Sequence, residues 1–361
     1  MGTGPERDEQ HVVVIGAGYA GLTAATRASR HHRVTLIAPE SRFLQRIRQH
    51  ETAAGHPEHR PSLAHLLRGR RATHLQARVT GLDPVARKLV VDRGPAVAYD
   101  TLVYALGSRT AWHGVPGAAE HAYPAERAAE LRRRLTDAAR PGTLAVVGGG
   151  ATGIETAAEL AEAYPRWQVR LVAADEVGGW LSVRGRAHVL RVLERLGVRV
   201  HEHTRVTAVD ADGLHTAQGP IEAGVVAWAA SVEPNELAAE AGLTVAPDGR
   251  AVVDPYLRSV SHPQVYVIGD AAAVTVPGTG TLRPGCATAI PMGGYVGRRL
   301  GGKESGPFAF TYTAQCLSLG RRDGLLQLVH GDDSMRPTVF TGAVGRLAKA
   351  AIVLGVAAGL R

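Results

Sequence analysis

A chain of 361 residues is long for one hydrophobic core and suits two or three domains of roughly 100–150 residues each. Its formal charge of +8 rests almost wholly on arginine, since Lys88, Lys303 and Lys349 are the only lysines. With no block of like charges and few aromatics among the arginines, this balance argues against a nucleic-acid partner. The two cysteines, Cys286 and Cys316, rule out a disulfide scaffold and any four-cysteine metal site, so no metal is expected and a reducing, cytoplasmic setting fits.

The polar stretch Met1 to Gln10 lacks the apolar core of a secretory signal. The run His11-Val12-Val13-Val14-Ile15 then reads as a buried parallel strand. It leads into Gly16-Ala17-Gly18-Tyr19-Ala20-Gly21 and an alanine-rich helix. In such a turn the first glycine allows a tight bend, the second lets backbone approach a pyrophosphate, and the third lets helix pack on strand. The helix N-terminus offers free N–H groups to the phosphates. Arg33 to Ile37 forms the next strand and completes a β-α-β unit. An acid at its end ordinarily binds the ribose hydroxyls; Glu40 is the candidate, arriving a couple of residues late. Strand, turn and strand are expected from Ala77 to Val91 and over Tyr99 to Ser108, with a linker from Arg109 to Gly117.

A charged helix is expected from Pro124 to Ala139. Leu144-Ala145-Val146-Val147 then leads into the second fingerprint, Gly148-Gly149-Gly150-Ala151-Thr152-Gly153, which opens another alanine-rich helix and a strand at Val169 to Val172. Two fingerprints in this context imply two dinucleotide sites on one chain. The expected carboxylate after the second unit's strand is absent or displaced, as the chain continues Ala173-Ala174-Asp175. That leaves NADH and NADPH both open, with Arg184 and Arg186 nearby as phosphate partners or as ordinary solvated residues. Gly242 to Ser259 reads as a crossing back, followed by a strand ending in Gly269-Asp270. The last apolar run, Ala350 to Leu360, is about half the roughly 20 residues a membrane span needs. A buried terminal helix is expected, with peripheral membrane or subunit contact, including a homodimer, as the alternative.

Taken in order, GAGYAG at Gly16, YDTLVYALGS at Tyr99, VVGGGATGIETAAEL at Val146, VVAWAASVEPN at Val225 and VYVIGDAAA at Val265 resemble the pyridine nucleotide-disulphide oxidoreductase fold. Within it they are similar to the type II NADH:quinone oxidoreductase branch and its apoptosis-inducing-factor relatives. The resemblance implies an α/β fold of two Rossmann-like dinucleotide-binding domains. Residues 1–115 and 255–305 would bind FAD, an inserted 116–254 would bind NAD(P)H, and 306–361 would form a small C-terminal α+β segment. By the same resemblance Gly16, Gly18, Tyr19, Ala20 and Gly21 hold the FAD pyrophosphate, and Gly269 and Asp270 meet its ribityl part. Ala105 and Gly107 pass beneath the flavin and Val79 meets the adenine, while Gly148, Gly150, Ala151 and Gly153 hold NADH or NADPH.

Glu155 matches the acid of the branch's GGGxTGxE pattern. With His50, which the resemblance also brings to the flavin, it is a candidate proton donor. Arg46 and Arg48 would neutralise the pyrophosphate or a reduced flavin. No cysteine pair follows the first helix or falls in the second unit, so electrons leave the flavin directly; Cys286 and Cys316 are expected to be inert buried thiols. The glutamines typical of the quinone branch are missing after Asp270, which points to a soluble, actinobacterial-type relative. Three functions stay open. The first is an NAD(P)H-dependent reductase of a quinone-like or other small organic acceptor. The second is a tailoring oxidoreductase in the biosynthesis of a specialised metabolite, with NAD(P)H ancillary, and the third a non-enzymatic redox-sensing flavoprotein.

Overall fold

Two five-stranded parallel sheets carry this computed structural model, which describes residues 9–58 and 60–359, the side chains of 356–359 excepted. The first part of the chain runs β1 (His11–Ile15), α1 (Tyr19–Ala28), β2 (Arg33–Ala38), α2 (Gln49–Ala53), β3 (Ala72–Gln76) and β4 (Thr101–Tyr104). Next come β5 (Ala122–Pro124), β6 (Thr143–Val147), α3 (Ala151–Ala163), β7 (Gln168–Val172), α4 (Val183–Arg195), β8 (Arg199–His201) and β9 (Val225–Trp228). The chain returns through β10 (Val265–Val267) and α5 (Cys286–Leu300). It continues with β11 (Ala314–Ser318), β12 (Gly324–Val329), β13 (Met335–Thr341) and α6 (Gly342–Gly359).

The first sheet has the order β10-β4-β1-β2-β3 and the second β8-β7-β6-β9-β5. In both, the strand before the glycine fingerprint is central and the chain leaves it to opposite sides. That opens a crevice at the strand's C-terminal end, where ligands of such sheets bind. Val12 to Ile15 have no exposed surface, because α1 packs on the strand and its core also takes in Leu82, Leu89 and Val91 of an antiparallel hairpin; β-branched residues on both faces are what such a strand needs. On the near side α1 packs against α5.

The strand–turn–strand expected from Ala77 to Val91 is a hairpin, Val79–Asp83 with Lys88–Val91, extended by Val97–Ala98 into its own antiparallel sheet. Where the expected linker begins, Ser108–Thr110 forms a short strand that pairs antiparallel with Val232–Pro234, so the outward and return crossings are tied together. Leu237, Ala238, Leu243 and Ala251 pack into the core of the first sheet. Leu317, Leu319 and Leu325 of the C-terminal segment pack into that of the second.

The terminal helix departs from expectation. One side of α6 packs on β11 and β12, yet Val344, Leu347 and Leu354 are 59 %, 58 % and 70 % exposed. A three-stranded sheet offers one face to bury a helix against. Among the described residues no further layer covers the other side of α6.

Candidate functional site

The two fingerprints are built alike. Gly16 and Gly148 have φ of +97° and +125°, which L side chains rarely adopt, and a Cβ on them would strike the carbonyl oxygens of Ala105 and Ala229. A Cβ on Gly21 or Gly153 would strike the carbonyl of Gly16 or Gly148, so these third glycines seat helix on strand. Gly18 and Gly150 instead face open space, with no atom within 4 Å of a built Cβ. No side chain caps α1 or α3. Each helix therefore presents free N–H groups to a cradle kept clear by glycine, a fit for a dinucleotide pyrophosphate.

Asp270 lies beside the first cradle. A Cβ at Gly269 would lie 3.1 Å from that of Ala20, so this turn rests directly on α1. Asp270 Oδ2 accepts from Ser108 Oγ at 2.7 Å and Oδ1 from the Gly285 N–H at 2.8 Å. Ala105 and Gly107 form the turn after β4, and the Ala105 N–H bonds to Ile15 at 2.9 Å. Tyr19 is buried edge-on against Phe43, Val79 opens the hairpin, and Glu40 is exposed just beyond β2. Both arginines proposed for the pyrophosphate already hold carboxylates: Arg46 pairs with Glu126 and Arg48 with Glu51, each at 2.6 Å.

Glu155, on the second turn of α3, is 7 % exposed. Its Oε1 lies 2.8 Å from Lys349 Nζ and accepts the Ser318 N–H at 2.8 Å. Its Oε2 lies 4.0 Å from His50 Nδ1, so the fold brings these two candidates together. Burial alone would raise the Glu155 carboxyl. The Lys349 ammonium, the nearby His50 and the hydrogen bonds from Lys349 and Ser318 outweigh it and hold the group below the ordinary carboxylate range. For Lys349, burial would lower the ammonium, but Glu155 and the two nearby thiols push it above the ordinary lysine range. Burial likewise lowers the His50 imidazole and raises both cysteine thiols, so neither cysteine carries thiolate character near neutral pH.

Sequence reasoning missed Lys349, Ser318 and Arg321. Arg321 Nε lies 2.6 Å from Glu159 Oε1. The available signal was a lone lysine in an arginine-rich C-terminal segment. A cavity of about 470 Å³ between the second fingerprint and the C-terminal sheet is lined by Ala151, Trp180, Arg283, Gln315 and Met335 among others. Two glycine cradles of this form, each fit for a dinucleotide pyrophosphate, with both cysteines free, mark the fold of a dinucleotide-dependent oxidoreductase without a redox disulfide.

A family model described as pyridine nucleotide-disulphide oxidoreductase matches residues 10–292. The chain is 31 % identical over 316 residues to the NADH dehydrogenase-like protein Rv1812c of Mycobacterium tuberculosis, covering 79 % of this chain and 78 % of that one. It is 27 % identical over 370 residues to the type II NADH:quinone oxidoreductase of Staphylococcus haemolyticus, covering 91 % of each. The structure of NDH2 from Plasmodium falciparum in complex with NADH superposes with a TM-score of 0.83 at 14 % identity, covering 96 % of this chain and 94 % of that one. An NAD-dependent persulfide reductase from A. fulgidus superposes with a TM-score of 0.77 at 24 % identity, covering 88 % and 63 %. At these identities the structural likeness speaks for the fold alone. The chain belongs to the pyridine nucleotide-disulphide oxidoreductase family, whose members use FAD with NADH or NADPH, and it is an enzyme of that oxidoreductase type.

Proposed function

We propose that the protein passes two electrons from NADH through FAD to a quinone-like acceptor. The observation that carries this reading is the buried Glu155–Lys349 pair, close to the second fingerprint and closed over by the C-terminal helix. FAD, when bound, supplies the chemistry of taking a hydride and handing on two electrons. The chain supplies the rest. Gly16 to Gly21 and Asp270 would hold FAD, and Gly148 to Gly153 would hold the nicotinamide dinucleotide, for which the cavity beside Ala151 leaves room. The Lys349 ammonium stabilises negative charge developing on an acceptor and gives up one proton to it, breaking its own N–H bond, and the Glu155 carboxylate takes up a replacement proton and passes it on to Lys349.

NADH is favoured over NADPH by the loop after β7. Ala173 stands at its start, Asp175 and Glu176 are exposed, and Arg186 is held by Glu202 at 2.7 Å and faces Glu176 at 3.8 Å. Carboxylates around a neutralised arginine repel a 2′-phosphate. The exposed apolar side of α6 supports an acceptor drawn from a lipid surface.

The test is anaerobic titration of the FAD-loaded protein with NADH and NADPH, followed by reoxidation with a short-chain quinone. NADH is expected to bleach the flavin at far lower concentration than NADPH. Glu155→Gln should leave that bleaching intact and slow quinone-dependent reoxidation about a hundredfold, the usual scale of a lost general acid–base group. Reoxidation at wild-type speed in the variant removes the role given to Glu155, and no reoxidation by any quinone removes the acceptor.

A further inference from the structure

Glu155, Glu159 and Glu162 follow one another at spacings of four and three along α3, which stacks them on one face of the helix. Glu159 is only 2 % exposed. Like charges so placed need answering groups, and each carboxylate takes one from another part of the chain. Glu155 takes Lys349 and the Ser318 N–H. Glu159 Oε1 takes Arg321 Nε at 2.6 Å and His56 Nε2 at 3.0 Å, and Glu162 accepts the Arg321 N–H at 2.9 Å. His50 completes the cluster, with Nδ1 4.0 Å from Glu155. Two polar atoms are left over: His50 Nε2 and Glu159 Oε2 are buried with no partner among the described residues. Orphaned polar atoms in one buried polar cluster are what a structural water ordinarily satisfies. At the far end, the His56 side chain is 35 % exposed, so the row reaches solvent.

We propose that His56, Glu159, a bound water and His50 form the path by which a solvent proton reaches the Glu155–Lys349 pair. The proposal rests on the acid–lysine reading given above. NADH delivers two electrons and one hydrogen as hydride, whereas an acceptor reduced by two electrons and two protons needs one proton more. That proton comes from water. At each step an N–H or O–H bond breaks on one group as another forms on the next, and every relay group is restored after the proton has passed. His50 is faced by Glu155 and Glu159 from α3, by Lys349 from α6 and by Glu51 on its own helix. Burial outweighs the carboxylates and keeps the imidazole neutral, the state in which one ring nitrogen accepts while the other donates.

The test compares wild type, Glu159→Gln and His56→Phe with two artificial acceptors. Ferricyanide takes electrons only; dichlorophenolindophenol takes two electrons and two protons whatever the native acceptor is. Glu159→Gln is expected to lower dye reduction about tenfold or more, the low end of what general acid–base relays contribute, with the loss deepening above pH 7 and ferricyanide reduction and FAD content unchanged. His56→Phe, at a partly exposed position, should show a smaller loss of the same kind. A crystal structure that resolves solvent should place a water within hydrogen-bond reach of both His50 Nε2 and Glu159 Oε2. Equal losses with both acceptors, unchanged dye reduction, or a dry gap between those atoms overturns the path. A wild type that reduces the dye but no quinone overturns the acceptor reading and leaves the relay judged by the dye alone.

Discussion

Within one fingerprint, glycines that look interchangeable answer to different demands. Gly18 faces open space and Gly21 faces the carbonyl of Gly16, so the first leaves room for a ligand and the second is required by the fold. Gly18→Val should leave the thermal unfolding of the apoprotein nearly unchanged while abolishing FAD retention. Gly21→Val should destabilise the protein by about 3 kcal/mol or more, because the atom it meets is backbone and cannot turn aside. Differential scanning calorimetry and the flavin absorbance of the purified variants separate the two, and an unfolded Gly18→Val would defeat the distinction. At this scale the backbone geometry of the glycines and the place of Asp270 beside them were legible, since each sits in a short pattern with a mechanical reason. Lys349, Ser318 and Arg321 were not. They reach α3 from a segment far along the chain, and no local spacing announces a partner that only folding supplies. The carboxylate partners of Arg46 and Arg48, Glu126 and Glu51, were likewise not legible from their spacing.

Among the elements, α6 has the least settled environment. Its inward side carries Lys349 to Glu155, and its outward side presents Val344, Leu347, Ile352 and Leu354. The apolar run Ala350 to Leu360 made a helix legible and its length argued against a span, though the helix begins earlier, at Gly342, and no helix among the described residues is long and apolar enough to cross a membrane. Which side would be covered was not legible, because that depends on how many layers the C-terminal sheet gathers around it. The central strands β1 and β6 carry apolar residues on both faces and needed no such information. If α6 rests on lipid, Leu347→Glu combined with Leu354→Glu should release the protein from vesicles. Burying a leucine contributes about 1.5–3 kcal/mol, so losing two should lower vesicle partitioning more than about tenfold, with NADH–ferricyanide activity retained. Sedimentation with vesicles of mixed zwitterionic and anionic lipid measures this, and equal sedimentation of variant and wild type argues against lipid contact.

Across the whole molecule, two β-α-β units in order and the return of the chain to the first sheet were written in the motifs. The clasp of the C-terminal segment was not. Asp323 shows how it works: it accepts from His188 at 2.8 Å and Arg195 at 2.9 Å on α4 while taking the Gly324 and Gly342 N–H groups at 2.8 and 3.0 Å. Groups of this kind make stability depend on pH. Burial lowers the folded His50 and His201 imidazoles below 6.5, their ordinary value. The unfolded chain therefore binds protons that the folded one refuses, and this contribution is present above about pH 6.5 and lost as pH falls. Burial would raise the carboxyls of Glu155 and Asp323, but ion pairs and hydrogen bonds hold both below their ordinary values of 4.5 and 3.8. Their contribution too is present at higher pH and lost as pH falls through the folded values. Both sets act in the same direction, in two windows. The melting temperature should decline gently from about pH 6.5 to 5 and steeply below about pH 4.5. Scanning fluorimetry from pH 3.5 to 8 at constant ionic strength reads this directly, and His50→Asn should flatten part of the upper slope. A melting temperature that rises as pH drops from 7 to 5 would mean that the histidines gain protons on folding, the opposite of what their burial dictates.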